Sequence, residues 1–366
     1  MIIMTGIVSY AFFDQDGKLL TSKNEELLLT PASNMKIVSG FTAYCILGHD
    51  FNFKTYFYID GNKLCVDGDP TPLLDGPKLM KIGKNIDNQN IKHIKLKNSA
   101  LDEDYYGRGW MMDDNSYSYQ TKIASFSVNE GCLPVEFKNM DLTALKNVHE
   151  KFSSPVKNQS KFFEECLWES MGMNAKNKLN FDKKMISNEK EEFTQSLKDV
   201  IKHVETFSCN FTAEVLTKYL SYNQKGVNGN WKDSTETIGT FLKKLGYGED
   251  QFKIADGSGL SRLNLLSTNL LGSLINKIER GSHSMFLDLL PEPGTGTLKN
   301  RLLEFKDLGI HAKTGSVSYC SSLTGYIRKY NVSFSIIINN SIDKPEELSN
   351  SVDNILRDFL SNFNRD

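Results

Sequence analysis

The sequence predicts an α/β (α+β) fold, an antiparallel sheet flanked by helices with a smaller inserted domain, and three observations carry that prediction. Short apolar runs with turn residues between them open the chain. Three further strand-like runs followed by one amphipathic helix close it. The long stretch between them is irregular, which sets it apart from both ends.

Taken in order, residues Ile7 to Phe13 and Lys18 to Ser22 are apolar-rich runs joined by Asp14-Gln15-Asp16-Gly17, whose glycine can take positive φ, and they predict a hairpin. After Pro31 the period changes. Ile37, Phe41, Tyr44, Cys45 and Gly48 follow helical spacing, predicting a helix from about Ala32 to Leu47 that begins near Ser33. From about Asn52 to Lys190 the pattern loosens, with Gly-Asp-Pro-Thr-Pro at 68 to 72, an aromatic and acidic loop near 105 to 119, and a charged segment around Asn188 to Glu192. Helical signals return from Ile201. One helix is expected over Ser208 to Leu220, and another over Ser234 to Leu245 with Gly246 as its stop. His311 to Thr314, Ser321 to Arg328 and Val332 to Asn339 read as strands. Pro345 opens a helix with Leu348, Val352, Ile355, Leu356, Phe359 and Leu360 on one face. A sheet of late strands joined by the N-terminal hairpin brings the chain ends together. The expected division is therefore 1–50 plus 195–366 as one domain and 51–194 as an insertion.

With 366 residues, 39% hydrophobic and 24% charged, and a formal net charge of -2, the chain can bury a full core. No block of like charge suggests nucleic acid or a polybasic membrane patch, so the expected partner is a small or peptidic ligand. The six cysteines are scattered with no Cys-x-x-Cys pair and no His at zinc-finger spacing; free buried thiols and no metal site are expected. No run reaches the ~18 apolar residues of a membrane span. The first residues read as a strand and not as a leader, which places the chain in the cytoplasm if Met1 is the natural start.

A hydroxyl is a poor nucleophile at neutral pH and needs a base within hydrogen-bond reach; Ser-x-x-Lys at a helix start puts the two side chains one turn apart. Ser33-Asn34-Met35-Lys36 has this form, as do Ser154 to Lys157 and Ser187 to Lys190. Context separates them. Ser154 is followed by Pro and reads as a helix cap, Ser187 lies in a charged run, and only Ser33 opens a helix with a strong apolar face. Ser-x-Asn occurs at Ser22, Ser127, Ser208, Ser221 and Ser267; Ser208-Cys209-Asn210 precedes an amphipathic helix and reads equally well as a plain cap. Lys313-Thr314-Gly315 lies on a predicted strand, with Lys and Gly facing opposite to Thr, and its glycine permits close approach of another backbone. Asp256-Gly257-Ser258-Gly259 reads as a tight turn beside the active-site wall. His149-Glu150 and His203-Val204-Glu205 lack a second His at i+4, and no Gly-x-Ser-x-Gly elbow occurs.

Ser-x-x-Lys, Ser-x-Asn and Lys-Thr-Gly in that order match the signature set of penicillin-recognising enzymes. With PASNMK at 31 to 36, GDPTPLL at 68 to 74, GWMMDD at 109 to 114, ADGSGLSRLN at 255 to 264, and LLPEPGTGTLKNRL and HAKTGS between 289 and 316, the chain resembles the D-alanyl-D-alanine carboxypeptidase/endopeptidase family. These are the class C low-molecular-mass penicillin-binding proteins, of the serine β-lactamase-like superfamily and the β-lactamase/transpeptidase-like fold. The resemblance implies Ser33 as nucleophile and Lys36 as its base, with a pKa depressed by burial and by the charge of Lys313. It implies Ser208 as proton relay and Asn210 holding the substrate amide. Lys313, Thr314, Gly315 and Ser316 would form the substrate strand, with Lys313, Thr314 and Ser316 binding the terminal carboxylate. The N–H groups of Ser33 and Ser316 would form the oxyanion hole. It further implies a peptidic substrate ending in D-Ala-D-Ala, β-lactam inhibitors that acylate Ser33 and stay, no cofactor, and a family usually extracytoplasmic. An esterase, a D-aminopeptidase or a non-catalytic penicillin-binding paralogue on the same fold are the alternatives. The stretch from Ser33 to Ser208 is shorter than this family usually carries, and the loop ending TKIASFSVNEG matches its pattern only loosely.

Overall fold

The computed structural model describes residues 6–86, 90–97, 100–134, 153–174, 177–178 and 190–363. Strands β1 (Ile7–Phe13) and β2 (Leu19–Lys23) form the expected hairpin, tied at its turn by the Asp14 carboxylate, which accepts from the N–H groups of Asp16 and Lys18. A single 3₁₀ turn, Ala32–Asn34, leads into α1 (Met35–Leu47). Every residue from Met35 to Tyr44 is buried, so this helix runs through the interior and is not merely amphipathic.

The middle of the chain builds β3 (Asn52–Asp60), β4 (Lys63–Gly68), α2 (Gly76–Asn85), β5 (His93–Leu96), a short ladder of β6 (Cys132–Pro134) with β7 (Ser153–Pro155), α3 (Gln159–Ser170), a second short ladder of β8 (Met173–Asn174) with β9 (Asn177–Lys178), and β10 (Glu191–Ser196). Its main sheet runs β10-β3-β4-β5 and is parallel only between β4 and β5. Leu79 and Ile82 of α2 and Phe162, Phe163 and Leu167 of α3 close over Phe57, Leu64 and Val66, giving this segment its own core. Ser154 does not cap a helix: it pairs with Leu133 in the β6–β7 ladder, and Asn158 caps α3 by accepting from the Lys161 N–H. Ser187, His149 and Glu150 lie outside the described residues.

The remainder comprises α4 (Leu197–Phe207), α5 (Asn210–Lys225), α6 (Trp231–Lys244), the paired β11 (Phe252–Lys253) and β12 (Leu265–Leu266), α7 (Thr268–Arg280), β13 (Ile310–Val317), β14 (Cys320–Ile327), β15 (Val332–Asn339) and α8 (Pro345–Phe363). The helix expected from Ser208 starts two residues later, because Cys209 caps it, and runs on until Gly226 at φ 66 ends it. Likewise α6 starts at Trp231, where the Asn230 side chain accepts from the Asp233 N–H. Ser267, one of the five Ser-x-Asn serines, is the cap of α7.

The principal sheet is antiparallel throughout, in the order β13-β14-β15-β1-β2; the register Val8↔Ile338 to Phe12↔Phe334 sews the two ends of the chain together. Leu348, Val352, Leu356 and Leu360 of α8 cover one face over Phe12, Leu323, Phe334 and Ile336. On the other face, α7 places Leu270, Leu271 and Leu274 against Ile337 and the α1 residues Ile37, Val38 and Phe41. Each such side chain contributes about 1.5–3 kcal/mol through burial. The start of α1 is thereby clamped between the sheet and helices α4 to α6. Among the described residues no helix is long and apolar enough to cross a membrane.

Candidate active site

The chain bends sharply before α1: Ala32 takes φ +48, a left-handed conformation unfavourable for a residue with a Cβ, and it presents Ser33 half-buried at the helix N-terminus. Two glycines make room for this bend. A Cβ at Gly259 would lie 1.8 Å from the Ala32 carbonyl oxygen, and one at Gly315 would lie 2.9 Å from the backbone nitrogen of Ser33. The second contact is the close backbone approach that Lys-Thr-Gly suggested, and Ser322 Oγ fastens it by donating to the Pro31 carbonyl at 2.8 Å.

One turn on, Lys36 is wholly buried, and its ammonium donates three hydrogen bonds: to Ser33 Oγ at 2.9 Å, to Asn210 Oδ1 at 2.7 Å and to the Ser258 carbonyl at 2.6 Å. Burial lowers its pKa to about 8, against the pull of the Glu205, Asp256 and Glu214 carboxylates in the other direction. Lys313 was expected to depress Lys36. The repulsion between the two buried ammoniums is mutual, and that of Lys313 is disfavoured first by burial and then by the charge of Lys36, with Glu205 opposing.

Ser208 sits at the junction of α4 and α5 with φ 56 and ψ 34, half-buried, and the cap of α5 is its neighbour Cys209, whose Sγ accepts from the Thr212 N–H. That leaves the Ser208 hydroxyl outside the capping role that the sequence allowed. Asn210, besides receiving Lys36, donates through Nδ2 to the Tyr119 carbonyl at 2.9 Å. Ser33, Ser208, Asn210 and Ser316 line one cavity of about 390 Å³, together with Asp114 and Arg262. Lys313, Thr314 and Gly315 lie on β13 behind it; the Lys313 ammonium is fully buried and donates to the Thr314 carbonyl at 3.1 Å.

Three buried carboxylates complete the arrangement; from the sequence Asp256 was read only as part of a tight turn beside the active-site wall, and neither Glu205 nor Glu214 was given a role there. Asp256 Oδ1 accepts from the Gly259 N–H and from Asn264 Nδ2, and its Oδ2 from the Ser261 N–H and Trp110 Nε1. Glu214, on α5, accepts from the N–H groups of Gly257 and Ser258 and from Trp231 Nε1. Together they hold the loop whose Ser258 carbonyl receives Lys36. Glu205, on α4, is also fully buried, and its oxygens hydrogen-bond to no described residue; burial raises its pKa and the two lysines draw it down. It is the counter-charge beneath Lys36 and Lys313. The acidic residue in ADGSG was a legible signal, whereas Glu205 and Glu214 are single acids on helices that nothing in the local pattern distinguishes.

The family model for the D-Ala-D-Ala carboxypeptidase 3 (S13) family matches residues 13–162 and 151–359, which together span most of the chain. The chain belongs to the S13 family. S13 membership makes it a serine peptidase, the class the Ser33–Lys36 geometry fits. Relatives include a D-alanyl-D-alanine carboxypeptidase of Actinomadura sp. (strain R39), 23% identical over 91% of this chain and 77% of the relative, and a penicillin-sensitive carboxypeptidase A of Dictyostelium discoideum, 23% identical over 96% and 86%. Among solved structures, penicillin binding protein 4 of Haemophilus influenzae shares the fold with a TM-score of 0.74 at 20% identity, covering 93% of this chain and 91% of that one. The same protein complexed with a novel β-lactam aligns with a TM-score of 0.70. The S13 fold is thus the mixed α/β, antiparallel-sheet architecture that the sequence predicts.

Proposed function

We propose that this S13 peptidase cleaves peptides ending in D-Ala-D-Ala through an acyl-enzyme on Ser33, and the 2.9 Å contact between Lys36 Nζ and Ser33 Oγ inside a buried network is the observation that carries the reading. Once Lys36 has released a proton, its lone pair accepts the hydroxyl proton of Ser33 as Oγ attacks the penultimate D-Ala carbonyl. The N–H groups of Ser33 and Ser316 take the developing oxyanion, a contribution of about 3 kcal/mol per donor. Ser208 relays the proton taken up by Lys36 to the leaving nitrogen, which returns Lys36 to its neutral form as the terminal D-Ala departs; water then releases the acyl group and restores the Ser33 hydroxyl.

Asn210 retains one N–H and one acceptor lone pair beyond its bonds to Tyr119 and Lys36, enough to hold a substrate amide. Thr314 and Ser316, with the charge of Lys313 behind them, receive the terminal carboxylate. Asp114 and Arg262 on the cavity wall offer charges of both signs to the rest of a peptide. All these groups except Asp114 and Tyr119 fall in 1–50 plus 195–366, and the segment 51–194 is read as an insertion that closes one side of the cleft. A β-lactam acylates the same Ser33. The test is a pair of peptides: D-Ala is expected from the D-Ala-D-Ala form and nothing from the L,L isomer, and equal cleavage of both would overturn the assignment.

A further inference from the structure

Beside the cavity, and outside the machinery described so far, Glu130, His203 and Cys209 bring a carboxylate oxygen, an imidazole nitrogen and a thiol sulfur within 4.8 Å of one another. They come from three separate elements: the turn Asn129–Gly131, α4, and the cap of α5. From this convergence we infer that the three residues form a binding site for a thiol-seeking divalent cation of the Zn²⁺ type.

The donor set is the first argument. Imidazole, thiolate and carboxylate are the ligands Zn²⁺ prefers, and three protein ligands with a fourth position for water is a regular coordination pattern. With metal–ligand bonds of about 2.0–2.3 Å, tetrahedral coordination needs donor separations of roughly 3.3–3.6 Å. His203 Nε2 and Glu130 Oε1 stand 2.6 Å apart and all three donors fall within 4.8 Å, so opening the His203–Glu130 pair by under about 1 Å brings that pair to the required spacing.

Backbone strain is the second. Asn129 and Glu130 take φ 52 and φ 56 and Gly131 takes φ 70, three successive residues in the left-handed region, two of which carry a Cβ. The Asn129 side chain fixes the turn by accepting from the Gly76 N–H at 3.1 Å. This conformation is what aims Glu130 at α4.

Burial is the third. Side-chain exposure is 17% for His203 and 19% for Glu130, and Cys209 is 8% exposed. The Cys209 thiol, within 4.8 Å of the Glu130 carboxylate, donates to Thr212 Oγ1 at 3.3 Å. A cation at this point is bound by thiolate and carboxylate at once, which offsets their mutual repulsion. Cys209 joins Ser208 to Asn210, so an occupied site ties the Ser-x-Asn segment to the turn at 129–131. Nothing in the sequence announces the site, because its members are brought together only by the fold: Glu130 and His203 stand 73 residues apart.

The test is a Co²⁺ titration of the metal-free full chain, with Zn²⁺ affinity measured by competition against a chromophoric chelator. One equivalent of Co²⁺ is expected to produce sulfur-to-cobalt charge-transfer absorption that Zn²⁺ displaces. Cys209→Ser should abolish the band, and His203→Ala should weaken Zn²⁺ binding by at least about tenfold, with unchanged far-ultraviolet circular dichroism in both. Absence of the band in the folded wild type, or its persistence in Cys209→Ser, overturns the inference. Neither readout depends on peptidase activity.

Discussion

Lys36 must be neutral to act as a base yet is held by three acceptors that favour its cation, and burial tips the balance to a pKa of about 8. With the neutral amine as the proposed base, acylation of Ser33 by a β-lactam should rise with pH, about tenfold per unit below pH 8, and level off above it. A stopped-flow series from pH 5.5 to 9.5 checks this; a flat or falling profile contradicts it. Lys36→Ala should slow acylation by about 10²–10⁴-fold with the fold retained. At Gly315 an added methyl would lie 2.2 Å from Ser322 Oγ and 2.9 Å from both the Pro31 carbonyl and the Ser33 nitrogen, two of them rigid backbone atoms. Gly315→Ala should therefore destabilise the protein by roughly 1–3 kcal/mol and displace Ser33, visible as lost acylation in a chain that still folds. Ser33, Lys36 and Gly315 were all legible as residue types at fixed spacing. What was not legible was the electrostatic partner of the lysines, because Glu205 meets them only through tertiary packing.

At the scale of elements, α5 works through its first two turns. Its first residue, Asn210, receives Lys36, and one turn further Glu214 reaches back to hold the loop at 257–258. Glu214→Gln replaces one acceptor with a donor that faces N–H groups. It should lower stability by about 1.5–3 kcal/mol in urea unfolding and slow acylation, since the Ser258 carbonyl is one of the three groups that place Lys36. Helix α8 plays a different part: it gives the cavity lining only Pro345, and Leu356, three turns further on, is fully buried over the sheet. Leu356→Ala should remove about 2–5 kcal/mol of stability and leave the acylation rate of the folded fraction unchanged. The elements that periodicity found, β1, α1, the three late strands and α8, are those with a clean apolar pattern. Boundaries slipped where the capping residue was not recognised, at Cys209 and Asn230, since caps depend on one side chain reaching one N–H. Ser154, read as a cap because Pro follows it, proved to be a strand residue, since a proline is equally at home on a short ladder.

For the whole molecule, the two ends of the chain meet in one sheet, and that closure sets β13 alongside the turn that carries Ser33. The union of the ends was readable because strand-like runs open and close the chain with irregular sequence between them. The order β13-β14-β15-β1-β2 was not, for strand order follows from long-range register that no local pattern encodes. The site is therefore a product of closure: Ser33 and Lys36 from the first fifty residues, Ser208 and Asn210 from the helical layer, Ser316 from the far edge of the sheet. The most direct test of that account is the intact mass of the chain after incubation with benzylpenicillin, followed by peptide mapping. The account predicts a stable adduct of one penicillin per chain, carried by the peptide that contains Ser33 and absent in Ser33→Ala; a folded chain that gains no mass, or that carries the label on another residue, would contradict it.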